Sequence, residues 1–391
     1  MIKKAHALSF LLLWATFICA DESNTVIATI PVGYTPAGIA ITSNSLFAYV
    51  ANNNDNGVMN GDTVSVLNLT TNTVEKTISD ASFNQPYTVT INPAGTKAYV
   101  TNSNSTTVTV IDLATNTVIG TIGGFDGPSG LVITPDGTRA YVNNYGGPEG
   151  LGSGNGTTVN VVNLNTNEII GSAITVGTAP SALAITPDGT YVYVISYTTG
   201  DLSAGTISII NTMNNSVRLN AISGFSGPFA IAITPNGQYA YVTNFGSNNF
   251  SPVGTTVSIV GIVSNTIVAT ITLGIQPAGI AITPDGSFAY VSNYSTVYNG
   301  MDFSDLTSSQ GTVNIIDLQT NTVIAPIIGV DFSPGAIAIS PNGQFAYVSN
   351  YDSNTVSVIA LPSITYDLNR LTPHYNLQLD ETITKFNQAG L

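Results

Sequence analysis

Pro277-Ala278-Gly279-Ile280-Ala281-Ile282-Thr283-Pro284-Asp285-Gly286-Ser287-Phe288-Ala289-Tyr290-Val291-Ser292-Asn293 is the stretch on which the fold turns. Residues 279–283 are a continuous apolar run, as expected of a strand covered on both faces. Asp285-Gly286 supplies a tight corner that tolerates positive φ, and residues 288–293 return antiparallel as a second strand. After a loop, Thr312-Val313-Asn314-Ile315-Ile316-Asp317 alternates polar with β-branched residues, and Thr320-Asn321 turns the chain into Thr322-Val323-Ile324-Ala325. One unit is therefore four short strands. The same phrase is written seven times, starting at the prolines at 36, 86, 128, 180, 228, 277 and 334, with tyrosines in step at 49, 99, 141, 193, 241, 290 and 347. A sheet of this size cannot bury itself alone, so a spacing of about fifty residues predicts an array of small sheets.

The ends of the array predict how it closes. Third strands are expected at 63–67, 107–111, 158–162, 206–210, 256–260, 312–317 and 355–359, but the seventh unit stops at Leu361-Pro362 with only three strands. Ser23-Asn24-Thr25-Val26-Ile27-Ala28-Thr29-Ile30 reads as an orphan fourth strand. If residues 25–30 pair with 355–359, both exposed edges vanish at once. The expected fold is all-β: a seven-bladed β-propeller of four-stranded antiparallel blades, closed by an N-terminal strand that completes the last blade. A linear solenoid would need polar capping repeats, and none is visible.

The phrase Ala-Tyr-Val-Thr-Asn is intact at residues 98–102 and 240–244, with near copies at 289–293 and 346–350. Over residues 23–361 the chain thus resembles the YVTN family of β-propeller repeat proteins, found in bacterial periplasmic and archaeal surface-layer proteins. The resemblance implies a propeller in an extracytoplasmic setting. It implies no shared catalytic residues and little about activity.

Export is also read from the N-terminus. Lys3 and Lys4 precede an apolar stretch from 7 to 18, and Ala20 followed by Asp21-Glu22 offers a cleavage point, the pattern of a secretory signal peptide. The domain reading is a signal peptide at 1–20, the propeller at 21–361 and a C-terminal appendage at 362–391, with a short helix expected at 380–387. The apolar stretch is too short for a membrane span, and Ile18 fits poorly before a lipidated Cys19. The expected location is therefore secreted or extracytoplasmic, at the periplasm or cell surface. Cleavage removes the only Cys and the only Trp, and takes Lys+Arg from 8 to 6 against 22 Asp+Glu, a net charge of −16. So acidic a surface repels phosphate backbones, and no nucleic-acid partner is expected.

Few catalytic constellations are available. No Gly-x-Ser-x-Gly occurs, His374 is the one imidazole left after cleavage, and zinc or copper sites built from His and Cys cannot be assembled. The glycine-rich run 150–156 lacks the third glycine of a dinucleotide loop and reads as a plain loop. Paired carboxylates are conceivable among Asp126, Asp201, Asp302, Asp305 and Asp331. The Asx-rich segment 52–62 offers hard oxygen ligands, a weak calcium signal without the closing Glu of an EF-hand loop. No cofactor is expected.

Topology puts the variable parts on one face. In a four-stranded blade the loop from second to third strand and the link to the next blade emerge together, and the two tight corners emerge at the opposite end. The second-to-third loops are expected to be long at 52–61, 144–156, 197–205, 245–254 and 294–311, so one face is elaborated and the other compact. Directly after the second strand stand Tyr145, Tyr197, Phe245, Tyr294 and Tyr351, replaced by Asn53 and Ser103 in the first two units. These aromatics are the candidate ligand-binding residues of a funnel rim. The competing reading packs them on the aromatics of the inter-blade links, Phe83, Phe125, Phe225 and Phe332. The Tyr of Tyr-Val is expected in the core. The favoured function is a non-enzymatic propeller that contacts a protein, peptide or glycan on its long-loop face. The alternative is a propeller hydrolase, lactonase-like or glycoside-acting, with carboxylates and calcium in the central funnel.

Overall fold

The computed structural model describes residues 23–54, 61–146, 155–198, 201–246, 253–295 and 310–362. The expected signal peptide, the expected appendage beyond Pro362 with its helix, and most of the expected long loops lie outside the described residues. The strands form seven antiparallel sheets, six of them ordered as the chain runs and the seventh completed by the N-terminal strand. In the first blade these are Pro36–Ile41, Phe47–Asn52, Thr63–Asn68 and Thr73–Ser79, from the axis outward. The outer strand of the third blade is interrupted: Glu168–Ile169 and Ile174–Thr175 pair separately with Thr158–Asn163. One expectation is corrected. In the fourth blade, residues 197–205 are not a free loop, because Tyr191–Thr198 and Asp201–Asn211 stay paired through Tyr197↔Gly205 and Thr198↔Asp201. Tyr and Thr are good strand formers, and the alternation simply continues past the expected end.

Closure follows the sequence reading. Thr25–Pro31 pairs antiparallel with Thr355–Ala360, which makes it the outer strand of the seventh blade. A register shift between Val26 and Ala28 lets Val26 pack toward the sixth blade, while the buried Ile30 packs toward the first. Asn24 extends the mimicry. In the outer corner of each of the first six blades an Asn adopts positive φ: Asn72, Asn116, Asn167, Asn215, Asn265 and Asn321. Asn24, at φ 59°, takes that place in the seventh.

The core lies between blades rather than within them. Seven apolar clusters each join two neighbouring sheets, as where Tyr49, Val64, Val66 and Phe83 of the first blade and its link meet Ala98, Val100 and Ile111 of the second. All seven tyrosines of the Tyr-Val phrase are at most 1% exposed, which confirms them as core. The hydroxyl at the end of each ring needs a partner when it is carried inside, and the next blade's corner supplies one. Tyr141 donates to Asn215 Oδ1 (2.9 Å), Tyr193 to Asn265 (2.8 Å) and Tyr241 to Asn321 (2.6 Å). Tyr290 donates to Asn24 (2.7 Å), so the N-terminal segment is bonded into the ring as an ordinary corner would be.

Each inner strand carries a bulge near its start. Pro36 pairs with Asn52 but Ile39 with Val50, and a matching shift recurs in all seven blades. A bulge frees backbone groups, and the residue after Tyr-Val engages them. Ser292 Oγ accepts from the Gly279 N–H in its own blade (2.9 Å) and donates to the Gly335 carbonyl in the next (2.6 Å). Thr101 does the same with Thr88 N–H and Ser129 carbonyl, and Thr243 with Ala230 N–H and Ala278 carbonyl. Hydroxyls thus stitch one bulge to the next around the axis. In the third blade the Asn143 amide takes the part, accepting from the Gly130 N–H and donating to the Pro180 carbonyl, and in the first and fourth blades Ala51 and Ile195 supply no such group.

Candidate functional site: the axial cavity

The bulges line the axis. A cavity of about 520 Å³ is bounded by at least one bulge residue from every blade, such as Gly38, Tyr87, Gly130, Ser181, Phe229, Gly279 and Ala336. Small residues predominate because adjacent inner strands approach closely: a methyl group on Gly38 would lie 2.5 Å from the Tyr87 carbonyl oxygen. A bulge re-aims side chains that a regular strand would send into the sheet. This is how inner-strand residues come to face the axis.

Three of the five expected rim aromatics, Phe245, Tyr294 and Tyr351, also border the cavity. Phe245 and Tyr294 make a continuous wall with Phe229, which the sequence analysis did not single out. Phe229 and Phe245 have ring centroids 5.3 Å apart at 30°, and Phe245 and Tyr294 are 5.9 Å apart at 68°. Such tilted and edge-on pairs are favourable arrangements for rings. The other two rim aromatics lie beside Tyr87, the second residue missed. Tyr197 is only 7% exposed. Burial pushes the Tyr87 phenol up to about 12, with the Tyr145 phenol adding to it, and burial likewise raises Tyr145 and Tyr197. All three phenols therefore stay uncharged at neutral pH. The signal for Tyr87 and Phe229 was present in the repeat. The residue after each starting proline reads Ala, Tyr, Ser, Ser, Phe, Ala, Gly, and the two rings break an otherwise small series.

The link aromatics, on which the competing reading packs the rim rings, fall into two groups. Phe83, Phe125 and Phe225 are 4–5% exposed and belong to the inter-blade cores, while Phe332 is 40% exposed. The links themselves are tense. The residue before each starting proline, Thr35, Gln85, Gly127, Ala179, Gly227, Gln276 and Ser333, has φ between 46° and 55°, a conformation that side chains resist. Side-chain oxygens of the preceding loops hold two of these residues: the Asp62 carboxylate accepts from the Gln85 N–H and Asn354 Oδ1 from the Thr35 N–H, both at 2.8 Å.

Of the candidate carboxylates, Asp126 and Asp331 are described and neither borders the cavity. Asp331 accepts from Thr355 Oγ1 at 2.7 Å. Asp302, Asp305 and the side chain of Asp201 lie outside the described residues, as do residues 150–154 of the glycine-rich run. Among the described residues no Asp, Glu, His, Lys or Arg borders the cavity, and no group of three or more His, Cys, Asp or Glu could hold a metal ion. In the Asx-rich segment, residues 55–60 lie outside the description. Of the rest, Asn52 is fully buried and donates to the Thr63 and Ser65 hydroxyls at 2.9 and 3.0 Å. No helix among the described residues is long and apolar enough to cross a membrane.

The described cations are confined to one face, whereas carboxylates stand on both: Asp112, Asp136, Asp188, Asp285 and Asp317 lie in the corners. Between residues 23 and 362 the only cations are Lys76, Lys97, Arg139 and Arg218. Lys97, Arg139 and Arg218 lie at the corner ends of their strands, and the Lys76 ammonium reaches the Thr115 carbonyl in an outer corner (3.2 Å). The loop end carries Asp62, Asp126, Asp331 and Asp352. The undescribed loop sequences between strands add Asp55, Glu149, Asp302 and Asp305, and no Lys or Arg.

Fold and site together define a seven-bladed β-propeller with an aromatic-walled axial cavity whose described lining carries no charged side chain. A family model described as "Lactonase, 7-bladed beta-propeller" matches residues 212–378, less than half of the 391-residue chain. Among solved structures, the hydrazine synthase of Kuenenia stuttgartiensis is similar at a TM-score of 0.69 and 22% identity, over 84% of this chain and 96% of that one. At that identity the likeness shows the fold alone. The PE-PGRS family protein PE_PGRS18 of Mycobacterium tuberculosis (strain ATCC 25618 / H37Rv) is 56% identical over 55 residues, which span 14% of this chain and 12% of that protein.

Proposed function

We propose that this chain is an extracytoplasmic, non-enzymatic binding propeller of the YVTN type that takes its ligand, a protein, peptide or glycan, at the aromatic mouth of the axial cavity on the loop face. The observation that carries the reading is the wall Phe229–Phe245–Tyr294 bordering a cavity of about 520 Å³, within the size range of ligand sites. Its rings supply contact area at low entropic cost, and variable loops around the mouth suit recognition. The test is a glycan array and a pull-down with the chain from Asp21 onward, repeated with Phe245→Ala and Tyr351→Ala. A retained partner that both substitutions release supports the reading; a partner indifferent to both overturns it.

The family-model match favours a second reading, a lactone-hydrolysing propeller. Hydrolysis needs a base or a metal-bound water at the scissile carbonyl, and the described cavity lining brings neither type of side chain. A panel of lactones assayed with the purified chain decides: turnover that Tyr294→Ala or Phe245→Ala abolishes would replace the binding reading with this one.

A further inference from the structure

The cavity and the charge pattern together point to the chemistry of the ligand. We infer that the axial mouth is a site for a small organic cation, a substituted ammonium group held against the Phe229, Phe245 and Tyr294 rings. This rests on the reading of the mouth as a binding site and narrows what binds there.

An aromatic ring attracts a cation to its face through its quadrupole, most strongly where water is excluded. Here three rings inclined to one another by 30° and 68° share one cavity, and Tyr351 and Tyr87 border it as well. Such a box favours a cation with an apolar coat, because the described lining has no carboxylate to strip a strongly hydrated ion of its water. An anion meets the opposite conditions: no described cation stands at the loop end, where Asp62, Asp126, Asp331 and Asp352 set the sign of the field. Long-range attraction draws the ligand to the mouth, and the rings hold it there. A neutral apolar ligand of the same shape would gain the burial but neither electrostatic contribution.

The experiment separates these contributions with choline and its uncharged carbon isostere 3,3-dimethylbutan-1-ol, titrated calorimetrically into the full chain. Choline is expected to bind saturably and at least about tenfold more tightly than the isostere. Phe245→Leu, which keeps bulk but removes the ring, is expected to weaken choline by about tenfold and leave the isostere nearly unchanged. An unchanged melting temperature shows that the Phe245→Leu variant is folded. Absence of saturable choline binding up to roughly 10 mM, equal affinity for the isostere, or choline binding indifferent to Phe245→Leu would each overturn the inference. A partner found on the glycan array or by pull-down and lost in the Phe245→Ala variant would still stand in any of those cases, so failure here is distinct from failure of the binding reading.

Discussion

The two faces of the ring are built from the same seven repeats by opposite rules. At the corner face six of the seven blades repeat one hydrogen-bonded turn: Thr42, Thr134, Thr186, Thr234, Thr283 and Ser340 each donate to the Asp or Asn two residues on, and the second blade, with Asn92 and Ala94, departs from it. All the described cations gather there. At the loop face the links hold side chains at positive φ, the inner strands bulge, the copies diverge, and the charged groups are acidic. Uniformity makes the corner face a scaffold, whereas divergence and local strain make the loop face a place where residues can be re-aimed at a ligand.

The largest effect expected is on closure, which must satisfy both faces at once. Removing residues 21–31 takes away Asn24 at the corner end, the ladder to Thr355–Ala360 and the buried Ile30. Burial of each such aliphatic side chain stabilises by about 1.5–3 kcal/mol, and the exposed edge of the seventh blade invites pairing between chains. The truncated protein should melt far below the parent or associate edge to edge, as light scattering and calorimetry would show. A monomer with an unchanged melting temperature would mean that the ring closes otherwise. Removing residues 1–20 should leave the melt unchanged.

The links give the next effect. Gly227 has φ 55°, and a methyl group there would collide with the backbone of Gly246. Gly227→Ala should cost about 3 kcal/mol, combining left-handed strain with overpacking. At the equivalent position of the first blade stands the β-branched Thr35, at φ 46°. Thr35→Gly should therefore do the reverse and stabilise by about 1 kcal/mol. Denaturant melts of the two variants moving in the same direction would show that the links are not strained as described.

The hydroxyl stitches test whether the bulges are held from both sides. Ser292→Ala leaves the Gly279 N–H and the Gly335 carbonyl without their shared partner, a loss of about 1–3 kcal/mol. Ala51→Ser places a hydroxyl where the first blade has none and should gain up to about 1 kcal/mol. Equal melting temperatures for parent and Ser292→Ala would reduce the stitch to an incidental contact.

What the sequence made legible follows the same division between faces. Strand order, closure by residues 25–30 and the buried tyrosines could be read because the strand phrases and their corners recur from blade to blade. The position of Phe245, Tyr294 and Tyr351 could be read because they stand one residue past a recognisable strand. Tyr87 and Phe229 were hidden by the bulge: alternation assigns them to the sheet, and a one-residue register shift turns them to the axis. The continued pairing at Thr198↔Asp201 escaped notice because polar residues there read as loop. Asn24 was seen as part of a strand, but its role as a corner Asn bonded to Tyr290 needed the ring to be closed in space.

The smallest effect expected lies at the corner face and depends on pH. The hydroxyl of Thr134 and then the N–H of Thr138 hold the Asp136 carboxyl below its usual range, and Thr186 and the Thr190 N–H do the same for Asp188. A carboxyl whose pKa is lower folded than unfolded contributes stability that is complete above the unfolded value near 4 and is lost as pH falls through the folded value. Protonation at either corner thus favours the unfolded chain. Asn236 and Asn342 occupy the same place in the fifth and seventh blades and accept the same hydroxyl, from Thr234 at 2.7 Å and Ser340 at 2.6 Å. The double variant Asp136→Asn, Asp188→Asn should accordingly keep the parent's melting temperature near pH 7, because an amide oxygen can accept what the carboxylate accepts. Between about pH 5 and pH 2 the parent should lose more stability than the variant. Parallel melting curves over that range would show that the corners are held by geometry alone and draw nothing from their charge.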